Sequence, residues 1–108
     1  MDFNSLMMQA QKLQEQMEKQ EQEINNREYH STVMSDVVEV TMLGNFEVQE
    51  IKIKQQYIED NYEDKEDFIN ILQDSICVAV SELTRKIQED KEGMIGGLAG
   101  GLNIPGLK

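Results

Sequence analysis

The chain is poor in the residues that most often carry chemistry or cross-links. Its 108 residues include one cysteine, one histidine, one proline and no tryptophan. The single cysteine, Cys77, excludes an internal disulfide, and its apolar neighbours predict a small buried side chain. The single histidine, His30, has no serine or cysteine near it in sequence, so no catalytic role is expected. No apolar run approaches the ~20 residues that cross a bilayer, which predicts a cytoplasmic protein without a membrane partner.

Positive charge is also scarce. Ten Lys and Arg stand against 21 Asp and Glu, giving a net charge of -11. Taken alone, this sign argues against nucleic acid, because the long-range field repels phosphate, and it favours solubility or a basic partner. The length predicts one domain. Since a chain this small buries only part of its apolar surface, a partner chain is expected.

The N-terminal quarter of the chain carries the pattern of one long helix. Residues at heptad spacing form two rows, and polar residues continue the second row where apolar ones end. The rows are Phe3, Ala10, Met17 and Ile24, and Leu6, Leu13, Gln20 and Arg27. Gln, Glu and Lys fill the positions between, with no Pro or Gly before Gly44. We predict a helix over residues 3–28 that projects and packs along a single stripe.

After this helix, alternating polar and apolar residues predict three antiparallel strands. They cover residues 29–35, 37–43 and 46–54. The apolar face of the second strand consists of Val38, Val40 and Met42. Gly44-Asn45 predicts a hairpin turn, since both residues tolerate positive φ. In the third strand the apolar phase changes near Gln49-Glu50, which predicts a β-bulge.

The C-terminal half begins with an acidic connection over residues 59–67. Asp64 is the predicted N-cap of a second helix, which reaches about Lys91 and is apolar over a wide arc, as a helix covering a sheet requires. The glycines from Gly93 onward predict a flexible tail. The predicted fold is therefore α+β. One domain over residues 1–92 has a long N-terminal helix, a three-stranded antiparallel sheet and a C-terminal helix, and a flexible Gly/Leu-rich tail follows over 93–108.

Two binding motifs are incomplete. Asp60 and Asp64 lie four apart in the acidic connection, but Tyr62 stands where an EF-hand needs Asp or Asn, and the required Gly is missing. The Gly-rich tail lacks the Gly-Lys-Ser/Thr ending of a phosphate loop. No catalytic residue, metal site, cofactor or small-molecule substrate is therefore predicted.

Seven basic residues remain as candidates for contact with DNA phosphates. They lie on the first helix, on the third strand and late in the second helix. They are Lys12, Lys19, Arg27, Lys52, Lys54, Arg85 and Lys86. Interspersed lysines normally solubilise a surface, so the charge pattern alone supports DNA binding only weakly. The chain also lacks helix-turn-helix spacing, a zinc finger and an aromatic-basic RNA motif.

Several segments, taken in order along the chain, resemble the YbaB/EbfC family. The opening helix carries MQAQKLQEQM at residues 8–17, and the central strand and turn read VEVTMLG at 38–44. Val48 and Ile51-Lys52-Ile53 follow in the next strand, and GLNIPG at 101–106 completes the pattern after the second helix. Each piece is weak alone, whereas their order and spacing are fairly specific and cover nearly the whole chain.

The resemblance implies an α/β fold that dimerises into a tweezer-like shape with helices as arms. It also implies a non-enzymatic, bacterial nucleoid-associated protein that binds duplex DNA as a homodimer with little sequence preference, affecting nucleoid organisation and gene expression. The net charge of -11 keeps a second hypothesis open. In it, the chain is a coiled-coil-armed adaptor that binds protein partners rather than DNA.

Overall fold

The computed structural model describes residues 2–101, with side chains described for residues 2–97. The elements in chain order are α1 (Phe3–Asn26), β1 (Glu28–His30), β2 (Val38–Leu43), β3 (Val48–Ile53), α2 (Gln55–Asn61) and α3 (Lys65–Gly101). The long first helix, the three-stranded antiparallel sheet and the C-terminal helix confirm the predicted fold class.

The first helix, α1, begins at an N-cap and is almost entirely exposed. The Asp2 carboxylate accepts a hydrogen bond from the N–H of Ser5 at 2.8 Å, and this bond lowers the pKa of Asp2. The helix ends at Asn26, two residues before the predicted end, because Arg27 is extended and β1 follows at once. Of its 24 residues only Ile24 is buried, so α1 projects from the rest of the chain.

The sheet has β2 in the middle, antiparallel to both neighbours. The predicted inner face of β2 is confirmed, since its three apolar residues are all buried: Val38, Val40 and Met42. Thr41 pairs with Glu50 and Met42 with Val48, which leaves Gln49 without a partner on β2. The bulge predicted near Gln49-Glu50 is therefore present, and it keeps the apolar residues on both sides of it facing the core side of the sheet.

The first strand is shorter than the predicted 29–35. The Ser31 N–H still donates to the Val40 carbonyl oxygen of β2 at 2.9 Å, but from Thr32 onward the backbone binds a side chain instead of a neighbouring strand. Glu82 on α3 accepts hydrogen bonds from the Thr32 N–H at 3.1 Å, the Thr32 hydroxyl at 2.5 Å and the Val33 N–H at 2.9 Å. Lys86 adds an ion pair to Glu82 at 2.9 Å. Burial opposes ionisation of Glu82, but these donors outweigh it and lower the pKa of Glu82 to about 2. A charged carboxylate therefore ties the loop to α3.

The turn between β2 and β3 needs a glycine for space rather than for its φ. Gly44 is buried, and a Cβ added there would overlap the carbonyl oxygen of Ile24. The Gly44 N–H donates to the carbonyl oxygen of Arg27 at 3.0 Å. The left-handed conformation falls on Phe46, at φ 69°. The turn lies where it was predicted, but Gly44 is required by the close approach of α1.

The acidic connection predicted over residues 59–67 contains the end of a short helix, α2, that the sequence did not reveal. Tyr57 of this helix is buried. Its ring stacks on Phe68 with centroids 5.1 Å apart, and its hydroxyl donates to the Phe68 carbonyl oxygen. A helix of 7 residues spans about two turns, which is too short for an apolar period to stand out.

The last helix, α3, is 37 residues long and continues to Gly101, beyond the predicted end near Lys91. The predicted flexible tail starts at Gly93, whereas the backbone there is helical. A glycine weakens a helix by about 1 kcal/mol without breaking it, and good helix formers separate the glycines. Residues 102–108, the rest of the predicted tail, lie outside the described residues. Asp64 accepts from the Asp67 N–H at 3.3 Å, as an N-cap does.

The core lies between α3 and the inner face of the sheet, where α3 covers β2 and β1. Its buried residues are Tyr29, Val37, Val38, Val40, Met42, Tyr57, Ala79, Leu83 and Ile87. The prediction that Cys77 is buried is wrong, because the thiol is exposed. Ser75 and Ala79 occupy the buried face of α3. A helix turns about 100° per residue, so a side chain two positions from each points away from that face.

Candidate nucleic-acid interface

The projecting helix α1 carries two of the predicted phosphate contacts, Lys12 and Lys19. Lys12 and Lys19 are both exposed and lie two helical turns apart, about 10 Å along one face. Within residues 2–97, neither lysine makes an ion pair within 4.0 Å. Their ammonium groups are therefore available to an external anion.

The two lysines predicted on the third strand are held by acids of the sheet. The Lys54 ammonium lies 2.7 Å from the Glu39 carboxylate, and that of Lys52 lies 3.6 Å from Glu50. The hydrogen bond from Lys54, together with its charge, lowers the pKa of Glu39. A phosphate that approached this face would have to displace a carboxylate from each lysine.

The two basic residues late in α3 are also paired, each with an acid four positions away. Arg85 lies 3.3 Å from Glu89, and Lys86 lies 2.9 Å from the buried Glu82. The pair with Glu82 belongs to the contact that ties the loop after β1 to α3. Lys86 is therefore committed to the fold rather than to an external ligand.

The remaining predicted contact, Arg27, sits where α1 ends. Its guanidinium lies 3.3 Å from the Asp90 carboxylate of α3. Asp90 also accepts a hydrogen bond from the Tyr29 hydroxyl at 2.7 Å. Burial raises the pKa of Tyr29, and the neighbouring Asp90 adds to the rise, so the phenol stays a neutral donor.

The seven predicted residues are thus not brought together into one basic surface. Lys12 and Lys19 lie on the projecting helix, Lys52 and Lys54 lie beside acids at β3, and Arg85 and Lys86 lie on α3. Lys91, which is not among the seven, lies 4.8 Å from the ring centre of Phe46. The spacing Glu82–Lys86 and Arg85–Glu89 already signals two of the ion pairs. Nothing in the sequence signals Arg27–Asp90.

Beside β3, part of the sheet's inner face is left uncovered. Val48, Ile51 and Ile53 point to the same side as the core, yet each is 42–43% exposed. The cause is the position of α3, which covers β2 and β1 but leaves the third strand open. Among the described residues no strand pairs with the outer edge of β3. The result is an apolar surface beside an unpaired strand edge.

Other chemistry finds little support among the described residues. Residues 2–97 contain no group of His, Cys, Asp and Glu that is placed to hold a metal ion. The described helices include none that is long and apolar enough to cross a membrane. His30 lies on an exposed part of β1, 3.1 Å from the Thr41 hydroxyl and 3.7 Å from the Glu28 carboxylate.

Known proteins that resemble this chain are nucleoid-associated proteins and members of one DNA-binding family. The model of the YbaB/EbfC DNA-binding family matches residues 1–102. A nucleoid-associated protein of Clostridium acetobutylicum is 42% identical over 106 residues, which are 98% of this chain and 89% of that protein. A nucleoid-associated protein of Clostridium kluyveri is 33% identical over 106 residues, covering 98% and 88% of the two chains.

A solved structure shares the fold. The crystal structure of an uncharacterized protein from Helicobacter pylori superposes with a TM-score of 0.69 at 18% identity. The match covers 92% of this chain and 98% of that one. At this identity the likeness supports the arrangement of helices and strands and nothing further.

Proposed function

Since the chain belongs to the YbaB/EbfC DNA-binding family, we propose that it is a nucleoid-associated protein that binds duplex DNA as a homodimer with little sequence preference. In this role it acts in the cytoplasm, on the nucleoid, and affects nucleoid organisation and gene expression. The observation that carries the proposal is α1, a projecting helix whose Lys12 and Lys19 are exposed and have no acidic partner among residues 2–97.

The arrangement of charge explains how an acidic protein contacts a polyanion. The net charge of -11 repels phosphate at long range, but salt screens such a field beyond about 8–10 Å. A helix of 24 residues is about 36 Å long and extends its lysines beyond the sheet. The helix also holds four glutamates, so its lysines attract phosphate only at short range. Lysines bind phosphates as point charges, which positions a protein on DNA without reading its sequence.

The uncovered surface at β3 supports the homodimer. Val48, Ile51 and Ile53 place apolar area beside an open strand edge, a combination that invites pairing with another chain. A second copy offers the same edge and the same apolar face, so the contact is self-complementary about a two-fold axis. Sedimentation equilibrium over a concentration series tests it, and a monomer throughout would rule the dimer out.

The proposed DNA contact is tested by fluorescence anisotropy with two unrelated duplexes over a salt series. If Lys12 and Lys19 of both copies bind phosphate, log affinity falls with log salt at a slope of about -3.6, from about -0.9 per contact. All seven predicted bases in each copy would instead give about -13. Similar affinity for both duplexes is expected, and preference for one would contradict binding through phosphates alone.

A variant pair sharpens this test. Lys12→Gln/Lys19→Gln removes two positive charges from α1 and is expected to weaken binding to both duplexes at least tenfold, with a shallower salt slope. Lys65→Glu is the matched control. It changes the net charge by the same two units at the exposed start of α3. Equal losses in the two variants would mean that total charge, and not α1, governs binding.

The adaptor hypothesis remains the second candidate, because five of the seven predicted bases already pair with acids on the body of the chain. A pull-down from nuclease-treated lysate separates the two functions. Protein partners that persist without DNA favour the adaptor. If, in addition, no duplex binds at low salt, the acidic charge is decisive and the DNA proposal fails.

A further inference from the structure

α1 contacts both β2 and α3. Ile24 is its only buried residue, and the backbone leaves the helix at Arg27, whose N–H still bonds to the Ile24 carbonyl oxygen. Just below, Gly44 packs against Ile24 and donates its N–H to the Arg27 carbonyl oxygen at 3.0 Å. These contacts fix where the end of α1 meets the sheet.

A second set of contacts at this end of α1 is made by Asp90 of α3. The Asp90 carboxylate receives the Tyr29 hydroxyl at 2.7 Å and the Arg27 guanidinium at 3.3 Å. Tyr29 is buried in β1 and belongs to the core, whereas Arg27 is the residue that caps α1. One carboxylate thus links the end of the projecting helix to both α3 and the sheet.

Beyond this link α1 and α3 remain in contact. An open cleft of about 420 Å³ lies along their contact. It is lined by Gln20, Glu23, Ile24, Arg27, Glu89, Asp90, Gly93 and Met94. A Cβ added at Gly93 would meet no atom within 4 Å, so the two helices leave free space at this position of the cleft.

We propose that Asp90 is a positioning residue, which sets the direction of α1 through Arg27 and Tyr29 and thereby places Lys12 and Lys19 on DNA. The effect of Asp90 on DNA binding rests on the proposed function, whereas its effect on the direction of α1 does not. Lys12 lies 15 residues from Arg27, about 22 Å along the helix. A 10° rotation at the junction therefore moves Lys12 by about 4 Å, more than the length of a hydrogen bond to phosphate.

The proposal gives Arg27 a different role from the one predicted from the sequence. If Arg27 itself contacted phosphate, Asp90 would be its competitor, and removing the Asp90 charge would tighten DNA binding. If Asp90 and Arg27 position α1, removing either one weakens DNA binding. The sign of the effect at Asp90 therefore separates the two roles.

The test compares Asp90→Asn, Arg27→Gln and the double variant. The asparagine keeps an acceptor for the Tyr29 hydroxyl, so the core is retained. Each single change is expected to reduce DNA affinity about two- to fivefold, the size of an exposed ion pair. The double variant is expected to lose little more than either single one. Tighter binding by Asp90→Asn, or fully additive losses, would overturn the proposal.

Glu89→Gln is the matched control. It removes the same charge one position away, from a residue that pairs with Arg85 on its own helix. On electrostatic grounds it is expected to leave DNA affinity unchanged or raise it slightly. A loss equal to that of Asp90→Asn would show that the link to α1 is not the cause.

A second readout needs no DNA. Spin labels on the exposed native Cys77 and on Gln11→Cys report the distance from the body to α1. Labelled chain is diluted into excess unlabelled Cys77→Ser chain so that pairs within one protomer dominate. Asp90→Asn is expected to broaden the distance distribution, and Glu89→Gln to leave it unchanged. An unchanged distance distribution in Asp90→Asn overturns the positioning role, even if the chain binds DNA. If the distribution broadens but the chain binds no DNA, the positioning role stands and only the proposed function is refuted.

Discussion

The two long helices of this protein share an apolar period but not the same surroundings. α3 lies on the sheet, and its Leu83 and Ile87 are fully buried. α1 contacts β2 and α3, but only its Ile24 is buried, and its Phe3 remains 74% exposed. The comparison shows that the apolar period identifies which face of a helix will pack, but not whether anything covers it. In this chain the covered helix supports the fold, and the uncovered one presents the lysines.

The largest expected difference between the two helices is in stability. Leu83→Ala empties a fully buried position on α3 and is expected to lower the free energy of unfolding by about 3–4 kcal/mol. Leu6→Ala on α1, where the side chain is 51% exposed, is expected to cost less than about 0.5 kcal/mol. Urea unfolding at one fixed protein concentration measures both. Similar losses would mean that α1 is buried in solution.

The next effect depends on pH and concerns the carboxylate that ties the loop after β1 to α3. The pKa of Glu82 is about 2 in the folded chain, below its ordinary value of 4.5. Its contribution is therefore complete above about pH 4.5 and is lost as the pH falls towards 2, by roughly 2–3 kcal/mol. Unfolding followed between pH 7 and 2.5 measures the loss.

Glu82→Gln is the reference for that pH series. It removes the titrating group, so its stability should be lower at pH 7 and should fall less between pH 4.5 and 2.5 than that of the parent chain. Parallel curves for the two chains would show that another carboxylate carries the acid sensitivity.

The smallest expected effects compare two glycines, one at the base of α1 and one on α3. Gly44→Ala places a Cβ against the backbone of Ile24, where no side-chain rotation gives relief, and is expected to cost about 1–3 kcal/mol. Gly93→Ala meets nothing within 4 Å and lies inside α3, so it is expected to stabilise by about 0.5–1 kcal/mol. Thermal unfolding measures both, and a neutral Gly44→Ala would contradict the close approach of α1.

Much of the fold was readable from the sequence where local pattern and packing agree. The apolar face of β2 and the bulge at Gln49 followed from alternation and its change of phase. The short helix α2 is not predicted from the sequence, because an apolar period cannot be recognised over only two turns. The prediction that α3 ends near Lys91 is wrong, because the helix formers between the glycines outweigh the low helix propensity of glycine and the helix continues to Gly101.

The candidate site was less readable, because it depends on contacts between distant parts of the chain. Lys12 and Arg27 look alike as exposed bases on one helix, yet Arg27 meets Asp90, 63 positions later, in the folded chain. The pairing of Lys54 with Glu39 likewise depends on where the hairpin brings β2 and β3 together. Local spacing signals the two ion pairs within α3, but only the fold shows that Arg27 and Lys54 also have acidic partners.

If two copies pair through the open edge of β3, abundance becomes a determinant of this protein's lifetime. A lone chain would leave Ile51, Ile53 and the unpaired backbone beside them in water, where such an edge recruits other strands indiscriminately. If a second copy covers the edge, the folded state gains stability by mass action as the chain accumulates. A fall in expression would then do more than dilute the protein, since a larger share of the remaining copies would be uncovered and open to aggregation or proteolysis.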